Sequence, residues 1–189
     1  MTVYLASGSP RRATMLSQWS VPFEPLDINV TEIQTDDPKQ CALANAMAKA
    51  QAGGSRINEG LVVGADTVVA CDGRAFGKPC NEANAREMLD YLENRGHRVI
   101  TAIAGVVMPS GVSASRVSVA TVWMRALSEP ERAAYFKNPE YRDKAGAYAV
   151  QGLAASFIER IEGSMDTIIG FTMKDFYALC EELHVDLRR

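Results

Sequence analysis

Apolar residues fall into short runs and helix-spaced stripes along this chain, and each kind predicts an element. The strongest signal lies at 61–79. Leu61-Val62-Val63 reads as a buried strand that resumes behind Asp66 with Val68-Val69-Ala70. Cys71-Asp72-Gly73-Arg74 then supplies a hairpin turn, and the return strand ends at Gly77-Lys78-Pro79. Ahead of it, 2–6 is a short strand, and Ser9-Pro10 caps a helix that runs to about residue 17. Residues 23–30 read as a second strand, and 39–52 as an alanine-rich helix capped by Asp37-Pro38. After the hairpin, 81–94 is an amphipathic helix with Ala85, Met88, Leu89 and Leu92 on one face and Gly96 as its stop. Two long strands, 99–108 and 113–124, flank Pro109-Ser110-Gly111. Ser128-Glu129-Pro130-Glu131 is a capping box opening a helix to about 138; 153–161 is a further strand and 173–183 the last helix. Early alternation followed by a long hairpin predicts an α/β domain, with a mixed, twisted central sheet flanked by helices.

The polar positions that break these patterns are the candidates for chemistry. Asp66 interrupts an apolar strand, which is costly unless something compensates the carboxylate. A bond to a neighbouring backbone N–H would suffice, but the hairpin also returns Lys78 toward the acid end, which favours a site. The turn Ser7-Gly8-Ser9 precedes a helix whose first turn carries Arg11 and Arg12. Cations there oppose the helix macrodipole unless an anion neutralises them, so turn, helix start and arginines together predict a phosphate site. Glu32 lies in an acidic loop at 31–37, and Lys49 near the end of the following helix, where a lysine ordinarily just complements the dipole. Residues 143–152 are rich in Ala and Gly and carry the pair Asp143-Lys144 and Gln151, as in a loop that brings backbone close to a ligand. Thr101, Ser118 and Thr121 read as ordinary polar positions on a sheet face, and His97 as a residue that packs or caps beside Gly96.

Bulk properties narrow the classes. With 189 residues, 47% hydrophobic and 23% charged, the chain has the make-up of a globular domain with a proper core. A net charge of -3 argues against a general nucleic-acid binder and makes any cationic site local. Cys41, Cys71, Cys80 and Cys180 form no CxxC pair and no cluster with histidine, which suits reduced thiols rather than zinc or a disulfide framework. The apolar start is too short for a signal peptide and no run approaches membrane-spanning length, so the expectation is a cytoplasmic protein without a membrane partner. Neither histidine has a Ser or Cys partner at a suggestive position, and triad chemistry is not supported.

Four blocks in register carry a resemblance. Leu5-Ala6-Ser7-Gly8-Ser9-Pro10-Arg11-Arg12, Gly64-Ala65-Asp66-Thr67-Val68-Val69, Gly77-Lys78-Pro79 and Asp143-Lys144-Ala145-Gly146-Ala147-Tyr148 resemble the signature blocks of the Maf family of nucleoside triphosphate pyrophosphatases, historically linked to septum formation. The likeness extends to Arg160-Ile161-Glu162-Gly163-Ser164 and implies one Maf-like domain over 1–189. It implies two lobes with an active cleft between them, similar to inosine triphosphate pyrophosphatases, and divalent-metal-dependent hydrolysis to a monophosphate and pyrophosphate. Asp66 corresponds to the family's proton acceptor, and Arg11, Thr67 and Gln151 match the subgroup acting on dTTP and UTP. On this reading Glu32 and Asp66 hold Mg2+ or Mn2+, and both belong with Lys78 to the catalytic set. Arg11, Arg12, Lys49 and Lys78 hold the substrate's phosphates, and Ser7, Ser9, Lys144, Thr67 and Gln151 also bind the substrate. A homodimer is compatible with it. The alternatives are a pyrophosphatase for modified purine nucleotides such as 7-methyl-GTP, and a non-catalytic nucleotide-sensing regulator of division.

Overall fold

The apolar run around Asp66 forms a single strand in the computed structural model, which describes residues 1–187. This is β3 (Gly60–Cys71), in which every residue but Thr67 is buried. Burial of successive residues on both faces explains why the sequence here shows no alternation. Its parallel neighbour is β1 (Val3–Ala6), with Leu5 opposite Val63, and β1 pairs in parallel with β2 (Glu24–Pro25). Asp72 (φ 48°) and Gly73 (φ 79°) take the two left-handed positions of a tight hairpin and return the chain as antiparallel β4 (Arg74–Phe76). Adding β5 (Gly96–Met108), β6 (Val112–Met124) and β7 (Ile158–Glu162) gives the hydrogen-bonded order β2-β1-β3-β5-β6-β7, with β4 on β3: a seven-stranded mixed sheet. The helices are α1 (Pro10–Gln18), α2 (Pro38–Gly54), α3 (Glu82–Leu92), α4 (Glu129–Phe136), α5 (Met165–Ile169) and α6 (Met173–Glu182).

Contacts divide the chain into two units, one of residues 1–67, 101–118 and the described residues from 170 on, the other of 68–100 and 119–169. In the first, α2 lies against β3 at backbone distance. Ala42, Ala46, Ala50, Gly53 and Gly54 are buried along α2, and a Cβ on Gly64 would run into Ala46 O and stand 2.6 Å from Ala50 N. Only small residues on both sides permit that approach. In the second unit an aromatic core gathers Phe76, Leu89, Leu92, Tyr135, Phe136 and Phe157. The Tyr135 ring meets those of Phe136 and Phe157 edge-on at 5.3 Å.

Four expectations change. The strand at 23–30 contracts to the two residues of β2: Pro22 and Pro25 have no N–H for a ladder, and after Leu26 N bonds Leu5 O at 2.9 Å the chain departs. The strand at 153–161 divides into a 3-10 turn, Leu153–Phe157, and β7, because Gly152 O accepts from Ala155 N (3.0 Å) and Leu153 O from Ser156 Oγ (3.0 Å). Gly96 does not stop α3. Asn94 takes the left-handed position (φ 55°), while Gly96 opens β5 beneath Trp123, whose Nε1 would lie 2.5 Å from a Cβ there. Finally, α2 continues to Gly54, so Lys49 is not in its last turn. No cysteine is disulfide-bonded, and among the described residues no helix is long and apolar enough to cross a membrane.

Candidate active site

The close fit of α2 on β3 decides what compensates Asp66. Asp66 is 6% exposed, and its carboxylate faces α2. Lys49 Nζ donates to Asp66 Oδ1 at 2.7 Å and to Glu32 Oε1 at 2.7 Å, so one ammonium bridges two carboxylates. The three groups sum to one negative charge. Asn45, one turn before Lys49, donates through Nδ2 to Asp66 Oδ2 at 3.4 Å. Its amide also accepts from Ile33 N (2.9 Å) and donates to Ile33 O (3.1 Å). By holding both polar groups of Ile33, Asn45 fastens the loop to α2 and sets Glu32 beside Lys49. Cys41 adds to this clamp by donating its thiol to Ile33 O at 3.1 Å.

A second cluster forms around Arg12. The sequence treats Arg11 and Arg12 alike, but α1 turns Arg12 inward, 9% exposed, and leaves Arg11 half-buried. Arg12 Nε donates to Gly170 O (2.8 Å), Nη1 to Ser7 Oγ (2.8 Å) and to Ala65 O (2.9 Å), and Nη2 to Thr67 Oγ1 (3.2 Å). Four of the five guanidinium N–H groups are thereby committed to protein oxygens. Burial lowers its pKa to about 10, against the opposing pull of Asp66, and the group stays cationic at neutral pH. Ser7 Oγ also accepts from Ser9 N at 3.3 Å, which shapes the turn before α1. Ser9 itself makes no side-chain cap bond to the helix it precedes.

The other expected residues lie in the second unit. Lys78 is exposed just after β4. Gly146, in the left-handed region at φ 70°, donates its N–H to Gly77 O at 3.1 Å and so ties the 143–152 loop to the segment carrying Lys78. Lys144 lies on that loop with its ammonium on Asp143 Oδ1 at 2.5 Å, and Gln151 is exposed at its end. The same loop is anchored by Tyr148, whose hydroxyl is 2.7 Å from His97 Nε2. His97 is therefore a packing residue, and burial depresses its pKa to about 4.

Asn45 and Thr101 are absent from the sequence-derived candidates. For Asn45 a signal exists: it is an amide in an otherwise alanine-rich stretch, four residues before Lys49 and hence on its face. Thr101, whose hydroxyl is 2.9 Å from that of Thr67, carries no local signal, because the pairing depends on which strand lies beside β3. Chemically, the first unit offers a buried carboxylate held beside a second carboxylate and an ammonium, a suitable base next to an oxygen-rich cation position.

The family described as Maf-like protein matches over residues 2–183. The chain is 38% identical over 181 residues to a dTTP/UTP pyrophosphatase of Vibrio vulnificus, covering 94% of this chain and 96% of that protein. It is 37% identical over 178 residues to a dTTP/UTP pyrophosphatase of Carboxydothermus hydrogenoformans, covering 94% and 96%. With the protein of the same name from Alkalilimnicola ehrlichii it shares 37% identity over 195 residues, covering 99% and 95%.

Proposed function

The chain belongs to the Maf-like protein family, and from that premise we propose that it hydrolyses dTTP and UTP to the nucleoside monophosphate and pyrophosphate, acting as a single domain. The observation that carries the reading onto particular residues is the bridge Glu32–Lys49–Asp66, a buried carboxylate held ready in the block that matches the family's proton acceptor. Asp66 takes a proton from the attacking water. The water oxygen bonds to the α-phosphorus as the bond to the bridging oxygen breaks, and that oxygen leaves with its electron pair as part of pyrophosphate. Arg11, Lys78 and Lys144, with the Ser7–Ser9 turn, hold phosphate oxygens and stabilise the charge gathering on the leaving group. Arg12 acts from behind, fixing Ser7 and Thr67 in place. Lys49 holds both carboxylates in orientation.

Mg2+ or Mn2+ fits this donor set. Glu32 and Asp66 converge on one cationic group, and their cluster retains a negative charge. An ion of this kind takes one or two carboxylates and completes its shell with substrate phosphate and water. Glu32 and Asp66 would hold it. When bound, it offsets the repulsion between the phosphate and an incoming oxygen nucleophile.

Gln151 reads the base. Its amide offers a donor and an acceptor, which match a carbonyl and the N3–H of uracil or thymine. Cytosine, with an amino group in place of that carbonyl, leaves a polar group unpaired, at a cost of roughly 1–3 kcal/mol. Thr67 contributes to the same preference. The test is kcat/KM on dTTP, UTP, CTP and GTP with identification of the products. The expected result is monophosphate plus pyrophosphate, preference for dTTP and UTP, loss of turnover with a chelator and recovery with Mg2+ or Mn2+. Asp66→Asn should lower kcat by roughly 10²-fold or more while nucleotide still binds. Release of inorganic phosphate and a diphosphate, or near-normal turnover in Asp66→Asn, overturns the proposal.

A further inference from the structure

We propose that Thr101 is a positioning residue for nucleotide selectivity, acting through Thr67. This deepens the assignment of Thr67 above and rests on it. Thr67 is the one residue of β3 that is not buried, and its hydroxyl is constrained from three directions. Thr101 Oγ1 lies 2.9 Å away, and the Arg12 Nη2 group donates to it at 3.2 Å. The third constraint is the backbone at Gly170 (φ 108°), which passes so close that a Cβ there would be 2.9 Å from Thr67 Oγ1.

A hydroxyl has one proton to give and two lone pairs to offer. Arg12 can only donate, so it occupies one lone pair of Thr67. The bond with Thr101 uses either the proton or the second lone pair. One hydrogen-bonding position on Thr67 is therefore left for a ligand, and Thr101 determines which kind it is. Where Thr101 donates, Thr67 meets the ligand as a donor; where Thr101 accepts, Thr67 meets it as an acceptor. Thr101 is itself fully buried and cannot touch the nucleotide, so its influence passes through Thr67. Without its hydroxyl, Thr67 is free to offer either polarity, and a base edge that had been rejected becomes acceptable.

The experiment is a double-mutant cycle on the full chain, reading kcat/KM for UTP and for CTP, with thermal melting as a separate readout. Thr101→Val keeps the shape and removes the hydroxyl, and the expected result is a UTP:CTP ratio compressed by about tenfold. Thr101→Ser restores the ratio. In a Thr67→Val background the further change Thr101→Val leaves the ratio where Thr67→Val put it. A wild-type ratio in Thr101→Val, or an equally large effect of Thr101→Val with Thr67 already replaced, overturns the proposal while leaving the role of Thr67 intact. A wild-type ratio in Thr67→Val overturns the assignment of Thr67 and this inference with it. A melting shift without a change in ratio means that Thr101 serves the fold alone, and also overturns it.

Discussion

Arg11 and Arg12 are adjacent in the chain and of one chemical type, yet the structure gives them different duties. Arg12 holds Gly170 O and Ala65 O from inside the protein, so truncating it removes a charged donor from two buried carbonyls. That should cost roughly 2–4 kcal/mol. Arg12→Ala is expected to melt roughly 5–15 °C lower and to lose activity through a displaced Thr67 and Ser7. Arg11→Ala should instead raise KM for the triphosphate, with a much smaller change in melting. Melting curves without ligand, set beside KM for UTP, separate the two; equal stability losses would contradict the assignment. From sequence, both arginines stand out because two cations oppose a helix start. Which of them turns inward depends on the helical rotation of α1 against Gly170, a residue 158 positions away.

At the level of elements, the site depends on how closely α2 approaches β3. Gly64→Ala would press a methyl group against Ala46 O and Ala50 N, both backbone atoms that cannot rotate aside. The helix as a whole must retreat, and Lys49 and Asn45 move with it away from Asp66. Overpacking of this kind costs roughly 1–3 kcal/mol. Both the melting temperature and kcat are expected to fall, whereas Gly77→Ala, with open space around its Cβ, should leave the melting temperature unchanged. Unchanged kcat in Gly64→Ala would show that the Lys49–Asp66 distance does not matter to turnover. This element was only partly legible in the sequence. Asp66 announces itself by interrupting an apolar strand, and Asp37-Pro38 correctly marks the start of α2, where Asp37 Oδ1 accepts from Lys39 N at 2.9 Å. The alanine-rich body of α2 has no dominant apolar stripe, so nothing local says that Lys49 and Asn45 face the sheet.

For the molecule as a whole, the mixed α/β class and most element positions follow from local patterns, since apolar runs, caps and the Asp-Gly turn act within a few residues. Strand order does not follow, and neither does the burial of His97, which comes from the aromatic core of the second unit closing over β5. That burial makes folding stability depend on pH. His97 has a folded pKa of about 4 against an ordinary value of 6.5, because burial penalises its charged form. A depressed folded pKa means that the unfolded chain binds the proton first as the solution is acidified. The contribution is therefore complete above pH 6.5, declines as the pH falls toward 4, and is constant below that. From the two pKa values the loss attributable to His97 is roughly 2 kcal/mol by pH 5. Tyr148, the hydrogen-bond partner of His97, has its pKa raised by burial and stays neutral throughout this window. Urea unfolding at pH 7 and pH 5 provides the measurement, run on wild type and on His97→Leu. The variant is expected to be less sensitive to acid by about that amount, even if it is less stable at pH 7, because carboxylate contributions are common to both proteins. Ring-proton NMR should place the titration of His97 near pH 4. A midpoint near 6.5, or equal acid sensitivity in the two proteins, would show that the imidazole is hydrated in the folded state and that the core does not close over it.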